Sequence, residues 1–167
     1  MIPSDHFVRF YNEVFKFLDH TGPADLEKFW RHVARHQERH CLEVFRRDGL
    51  KGMEDYWNHI RIEENCDLDM FRDERHLETS MNKCPSLSKA LDNDATCCEH
   101  YCDHCPGWVG RVLTAAGFWL VYDVLDRKKP QCRSYIYPCR QDAEAKLQEL
   151  QAQGHQLVFT NLEARKN

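Results

Sequence analysis

No stretch of the sequence approaches the uninterrupted apolar run that a membrane span needs, so a bilayer is not an expected partner. No Lys/Arg cluster exceeds Arg127-Lys128-Lys129, and the formal net charge is −4. A nucleic-acid-binding face needs concentrated positive charge to displace counterions, so nucleic acid is not expected either. Met1-Ile2-Pro3-Ser4-Asp5-His6 has neither the basic nor the apolar region of a signal peptide, which sets the expected location as cytoplasmic. No segment repeats another, none is low-complexity, and no linker divides the chain.

What is present is ordinary globular composition. The 167 residues are 42% hydrophobic and 30% charged, enough for one domain, 1–167, with a real core. The unusual residue is cysteine. There are nine, an odd number, so complete pairing within one chain is excluded. In a reducing compartment thiols this dense serve metal binding or catalysis more often than disulfides.

Periodicity gives the elements. Ser4 is a candidate cap for a first helix with Phe7, Phe10, Val14 and Phe17 as its apolar stripe. After Gly22-Pro23 a longer helix, about 24–47, carries Leu26, Phe29, Trp30, Val33, Cys41 and Val44 on one side, and Gly49 stops it. Met53, Tyr56, Trp57 and Ile60 mark a third helix. Alternation at Cys66, Leu68 and Met70, a turn at 72–75, and Leu77, Thr79 and Met81 predict a hairpin. Short helix 85–91, an Asp92-Asn93-Asp94 loop and helix 106–116, stopped by Gly117, follow. A second hairpin (118–125 and 134–137), a polar helix (140–153) and a strand at 157–159 complete the chain. The tryptophans and phenylalanines read most simply as core. Strands grouped in hairpins predict an α+β fold: N-terminal helices packed on a small antiparallel sheet.

The densest chemistry is Cys97-Cys98-Glu99-His100-Tyr101-Cys102-Asp103-His104-Cys105-Pro106. Two cysteines separated by two residues can chelate one tetrahedral ion. A zinc ribbon would repeat the pair about 15–20 residues away, and this chain does not, so further ligands must come singly. Cys84, where the first hairpin ends, and Cys132, where the second strand of the second hairpin begins, are placed to converge on a helix mouth carrying Cys102 and Cys105. These four form the expected metal set, with Cys66, His104 and His100 in reserve. Zinc is favoured over an iron–sulfur cluster, though thiolates suit both. The competing reading is a small cysteine-dependent enzyme, a hydrolase or thiol oxidoreductase, with Cys102, His104 and Cys105 as its reactive groups. Cys41 and Cys139 read as small buried hydrophobes.

His32, His36 and His40 share one helix flank. His36-Gln37-Glu38-Arg39-His40 misses the metalloprotease pattern H-E-x-x-H by one place, which rotates the Glu about 100° away, and is read as a polar flank with His40 partly inside. Glu63-Glu64-Asn65-Cys66-Asp67 reads as a solvated loop that brings Cys66 near Cys84. The sequence leaves room for a small-molecule ligand and admits a homo-oligomer without specifying one.

Three runs carry a resemblance: Tyr56-Trp57 with Ile60-Arg61-Ile62-Glu63-Glu64-Asn65-Cys66, then Cys84-Pro85-Ser86-Leu87-Ser88-Lys89, then Tyr101-Cys102-Asp103-His104-Cys105-Pro106-Gly107-Trp108. From about residue 29 to 137 the chain resembles an uncharacterised family of small cysteine-rich bacterial proteins, a likeness that implies no activity. Its outline of helices, hairpin, Cys-bearing helix, Gly117 and a strand pair containing Cys132 is also faintly similar to L-2-amino-thiazoline-4-carboxylate hydrolases and to vinyl-reductase-like ligand-binding domains. That likeness is at the level of fold, which does not fix function.

Overall fold

The computed structural model describes residues 4–92 and 94–163, the side chains of Ser4 and Asp5 excepted. The cap expected from the Ser4 side chain and the Asn93 part of the expected loop lie outside the described residues. Helices α1 (Ser4–Thr21) and α2 (Pro23–Glu63) lead into the hairpin β1 (Asp67–Arg72) and β2 (Leu77–Lys83). Helix α3 (Pro85–Leu91) and a 3₁₀ turn (Tyr101–Asp103) precede α4 (His104–Ala116). The second hairpin, β3 (Trp119–Asp126) and β4 (Gln131–Tyr137), is followed by α5 (Arg140–Ala152) and β5 (Val158–Thr160). The strands form one antiparallel sheet in the order β1-β2-β4-β3-β5, so the fold is α+β.

Glycine breaks the helices where its freedom is needed. Gly49 interrupts α2 at φ 58° and ψ −139°, which divides it into the two helical stretches that the sequence predicts. Gly117 ends α4 in the left-handed region at φ 99°, its N–H and that of Phe118 both closing on the Leu113 carbonyl.

The two hairpins join through β2 and β4, where Leu77 faces Ile136 and Met81 faces Cys132. Side chains alternate across a sheet, so each strand divides its residues between two faces. Leu120 and Ile136 pack with Phe45, Met53, Val112 and Leu113 under α2 and α4. Trp119, Val121, Tyr135 and Tyr137 pack on the opposite face with Ala143 and Leu150 of α5. The same parity puts Tyr122, Val124 and Cys132 on the α4 side. A third cluster joins α1, α3 and the cysteine loop through Val8, Phe15, Leu87, Ala90, Cys98 and Tyr101.

The buried side of α1 differs from expectation. Phe7, Phe10 and Phe17 are 62%, 64% and 67% exposed, and Val8, Asn12 and Phe15 are the inward residues. The cause is polar. Asn12 is fully buried because its carbonyl accepts from Cys98 N–H at 2.8 Å and its amide donates to the Thr96 carbonyl at 2.8 Å. Those backbone groups need partners once the loop is covered, and the helix turns to supply them. Two further expectations are corrected. Cys139 is exposed, because it precedes α5 where the chain leaves the sheet, and His40 is exposed on the outer side of α2. Cys41 is buried, held by a thiol contact to the Gln37 carbonyl at 3.1 Å.

Candidate thiol centre

Cys84, Cys102, Cys105 and Cys132 reach one place from four segments. Cys84 stands in extended conformation immediately before α3, and its sulfur accepts the N–H of Leu87 at 3.3 Å. Its own N–H donates to the Pro130 carbonyl at 2.7 Å, which ties the start of α3 to the loop two residues ahead of Cys132. Cys132 lies between Met81 and Val124 on neighbouring strands, with its sulfur 3.1 Å from the Tyr122 hydroxyl. Cys102 sits in the 3₁₀ turn and Cys105 in the first turn of α4. All four line a cavity of about 30 Å³, together with His104 and Tyr122.

The loop carrying Cys102 is anchored from outside. Arg127, on the β3–β4 loop, donates to both oxygens of Asp103 at 2.5 and 3.1 Å and to the Glu99 carbonyl at 2.8 Å. A forked, two-bonded guanidinium–carboxylate contact fixes orientation as well as distance. His100 lies 2.9 Å from the same carboxylate and takes no part in the cavity lining. The 3₁₀ turn is therefore clamped to the hairpin that delivers Cys132.

His104 is buried, and its Nδ1 bonds the Tyr101 carbonyl. A carbonyl can only accept, so Nδ1 carries the proton and Nε2 is left as an acceptor. The sulfur of Cys105 lies 3.3 Å from that Nε2. Burial lowers the His104 pKa to about 4, so the ring is neutral near pH 7. Burial also raises the thiols: Cys84 and Cys105 to about 11 and Cys132 to about 12. Cys102 is raised further, by burial first and then by the neighbouring Cys105, Cys84 and Cys132. Cys84, Cys102 and Cys132 are thus disfavoured as anions partly because other sulfurs are near, whereas Cys105 is raised by burial.

Cys66 stands just before β1 and close enough to Cys84 to raise its own pKa, to about 11 with burial the larger cause. It lines a different and larger cavity of about 660 Å³, which Cys84, Cys105, Tyr101 and His104 also border. All nine cysteines are unpaired. Among the described residues, no group of three or more His, Cys, Asp or Glu side chains is arranged closely enough to hold a metal ion. The four sulfurs border the cavity without closing on one point. Among the described residues no helix is long and apolar enough to cross a membrane.

Sequence reasoning missed Tyr122, Asp103 and Arg127. The signal for Tyr122 was alternation along β3, which puts it on the face shared by Val124 and Cys132. The Asp103–Arg127 contact had no signal, since two loops 24 residues apart must first be folded together. Comparison with known proteins finds no family model, no curated protein and no solved structure that matches the chain.

Proposed function

We propose that this protein binds one thiophilic metal ion, zinc, through Cys84, Cys102, Cys105 and Cys132. The observation that carries the reading is the convergence of four cysteines from four segments on one cavity of about 30 Å³. That volume matches a single ion or water. It favours one ion over a polynuclear iron–sulfur cluster. Thiolate is the ligand form, so binding displaces the thiol protons, and the negative charge the sulfurs resist alone is offset by the cation. Closing on the ion requires the sulfurs to turn toward one point, and each cysteine has three staggered positions through which to do so. The Arg127–Asp103 clamp and the Cys84–Pro130 bond hold the backbones while the sulfurs turn. A reducing compartment such as the cytoplasm keeps the thiols available.

Elemental analysis of protein purified under reductant without added metal tests the reading. It predicts close to one zinc per chain, lost from Cys102→Ser and Cys132→Ser and retained by Cys139→Ser. Zinc retained by Cys132→Ser would sink the four-cysteine site.

The Cys105–His104 contact favours a second reading, a thiol nucleophile with an imidazole base. Its chemistry is less well matched. Activated cysteines have lowered pKa values, whereas Cys105 is pushed up and His104 pushed down, so both partners stay neutral. The two readings separate by alkylation: an activated thiol reacts fast near pH 7, and a metal-bound one is protected until chelator is added.

A further inference from the structure

The cavity of about 660 Å³ beside the thiol centre falls in the size range of small-molecule sites, well above what one ion needs. Its deep wall is aromatic and ordered. Tyr11 and Trp108 meet edge to face with centroids 6.2 Å apart, Phe15 and Tyr101 lie at 5.6 Å, and His104 and Trp108 at 4.6 Å. The faces of such rings carry partial negative charge.

Among the described residues that line it, the acidic side chains are Glu63 and Glu64, and no Lys or Arg contributes. Both stand at the C-terminal end of α2, the negative end of the helix dipole. Carboxylates and helix end therefore give the cavity's mouth one sign, beside an aromatic wall of the kind that accommodates organic cations. An anionic ligand would meet repulsion from each, and a neutral one would leave the polarity of the mouth unused.

We propose that this cavity binds a small organic cation with a flat apolar body, the body among Tyr11, Phe15, Tyr101 and Trp108 and the charged end toward Glu63 and Glu64. The inference goes beyond the metal reading and does not depend on it, because none of these six residues is a proposed ligand of the ion. The shared wall of Cys84 and Cys105 places the bound molecule next to the thiol centre.

The test uses three probes with one naphthalene body: 2-naphthylmethylammonium, 2-naphthylmethanol and 2-naphthylacetate. Binding to the full, reduced chain is measured by calorimetry near pH 7, with zinc content determined on the same samples. Absence of zinc then counts against the metal reading and leaves the probe result intact. The ammonium should bind at least tenfold tighter than the alcohol, and the acetate weakest. The Glu63→Gln/Glu64→Gln double variant should bring the ammonium to the affinity of the alcohol. Met81→Trp, which fills the cavity, should abolish binding in protein whose circular dichroism is unchanged. Independently of any variant, the ammonium should slow maleimide alkylation of Cys66 and leave exposed Cys139 unaffected. Equal affinities for ammonium and alcohol, no binding of the ammonium, or binding that leaves Cys66 unprotected would overturn the proposal.

Discussion

Two ends of one sheet face are built to different rules. At one end Leu77, Leu120 and Ile136 meet Phe45, Met53 and Leu113 in a close-packed hydrocarbon cluster. At the other end the same strands present Met81, Tyr122, Val124 and Cys132 to α3 and α4, and the space between holds two cavities lined by five thiols. Register is continuous from Leu77↔Ile136 to Met81↔Cys132, so the backbone does not distinguish the ends. Side-chain choice does. The packed end is closed by hydrocarbon contacts, and the thiol end leaves space that side chains alone do not fill.

The largest effect should come from breaking the packed end. Leu113→Ala removes a fully buried side chain and should cost about 2–5 kcal/mol in urea denaturation, with zinc stoichiometry unchanged in whatever folds. A matching loss of zinc affinity would mean that the two ends are not separable. Zinc removal should come next. A ligand bound only by the folded state stabilises it by about 3–4 kcal/mol at roughly 100 to 1,000 times Kd, and chelator should lower the melting temperature accordingly.

Asn12→Ala strands the Cys98 N–H and the Thr96 carbonyl and should cost about 1–3 kcal/mol by thermal unfolding. A change of another kind is expected in chelator-treated protein taken to high pH. Cys84 and Cys105 have folded pKa values raised from 9 to about 11, so the folded state keeps protons that the unfolded state gives up. Stability should be intact below about pH 9 and decline as pH rises toward about 11, which denaturant titrations at pH 8 and 10.5 would show. Zinc-loaded protein should resist this decline, because its thiolates are already formed.

The comparison also explains what the sequence could reveal. Hairpins, helix stops at Gly49 and Gly117, and the placement of Cys84 and Cys132 at strand ends follow from local pattern, and all are where pattern puts them. The facing of α1 does not follow. Both Phe7-Phe10-Val14-Phe17 and Val8-Tyr11-Phe15-Leu18 satisfy helical spacing, and the choice falls to Asn12, whose partners lie 84 and 86 residues away. Cys132 lies within β4 and Cys139 just past its end, with opposite fates, one beside Tyr122 and the other exposed before α5. Spacing between cysteines carried no information about which sulfur turns inward, whereas parity along β4 did: Cys132 shares its face with Ser134 and buried Ile136.

X-ray absorption at the zinc edge of protein loaded with one equivalent counts the ligands directly. Coordination by Cys84, Cys102, Cys105 and Cys132 predicts four sulfurs at about 2.3 Å and no bound nitrogen or oxygen. A shell dominated by nitrogen or oxygen, or a failure to retain one equivalent of zinc through gel filtration, would contradict it.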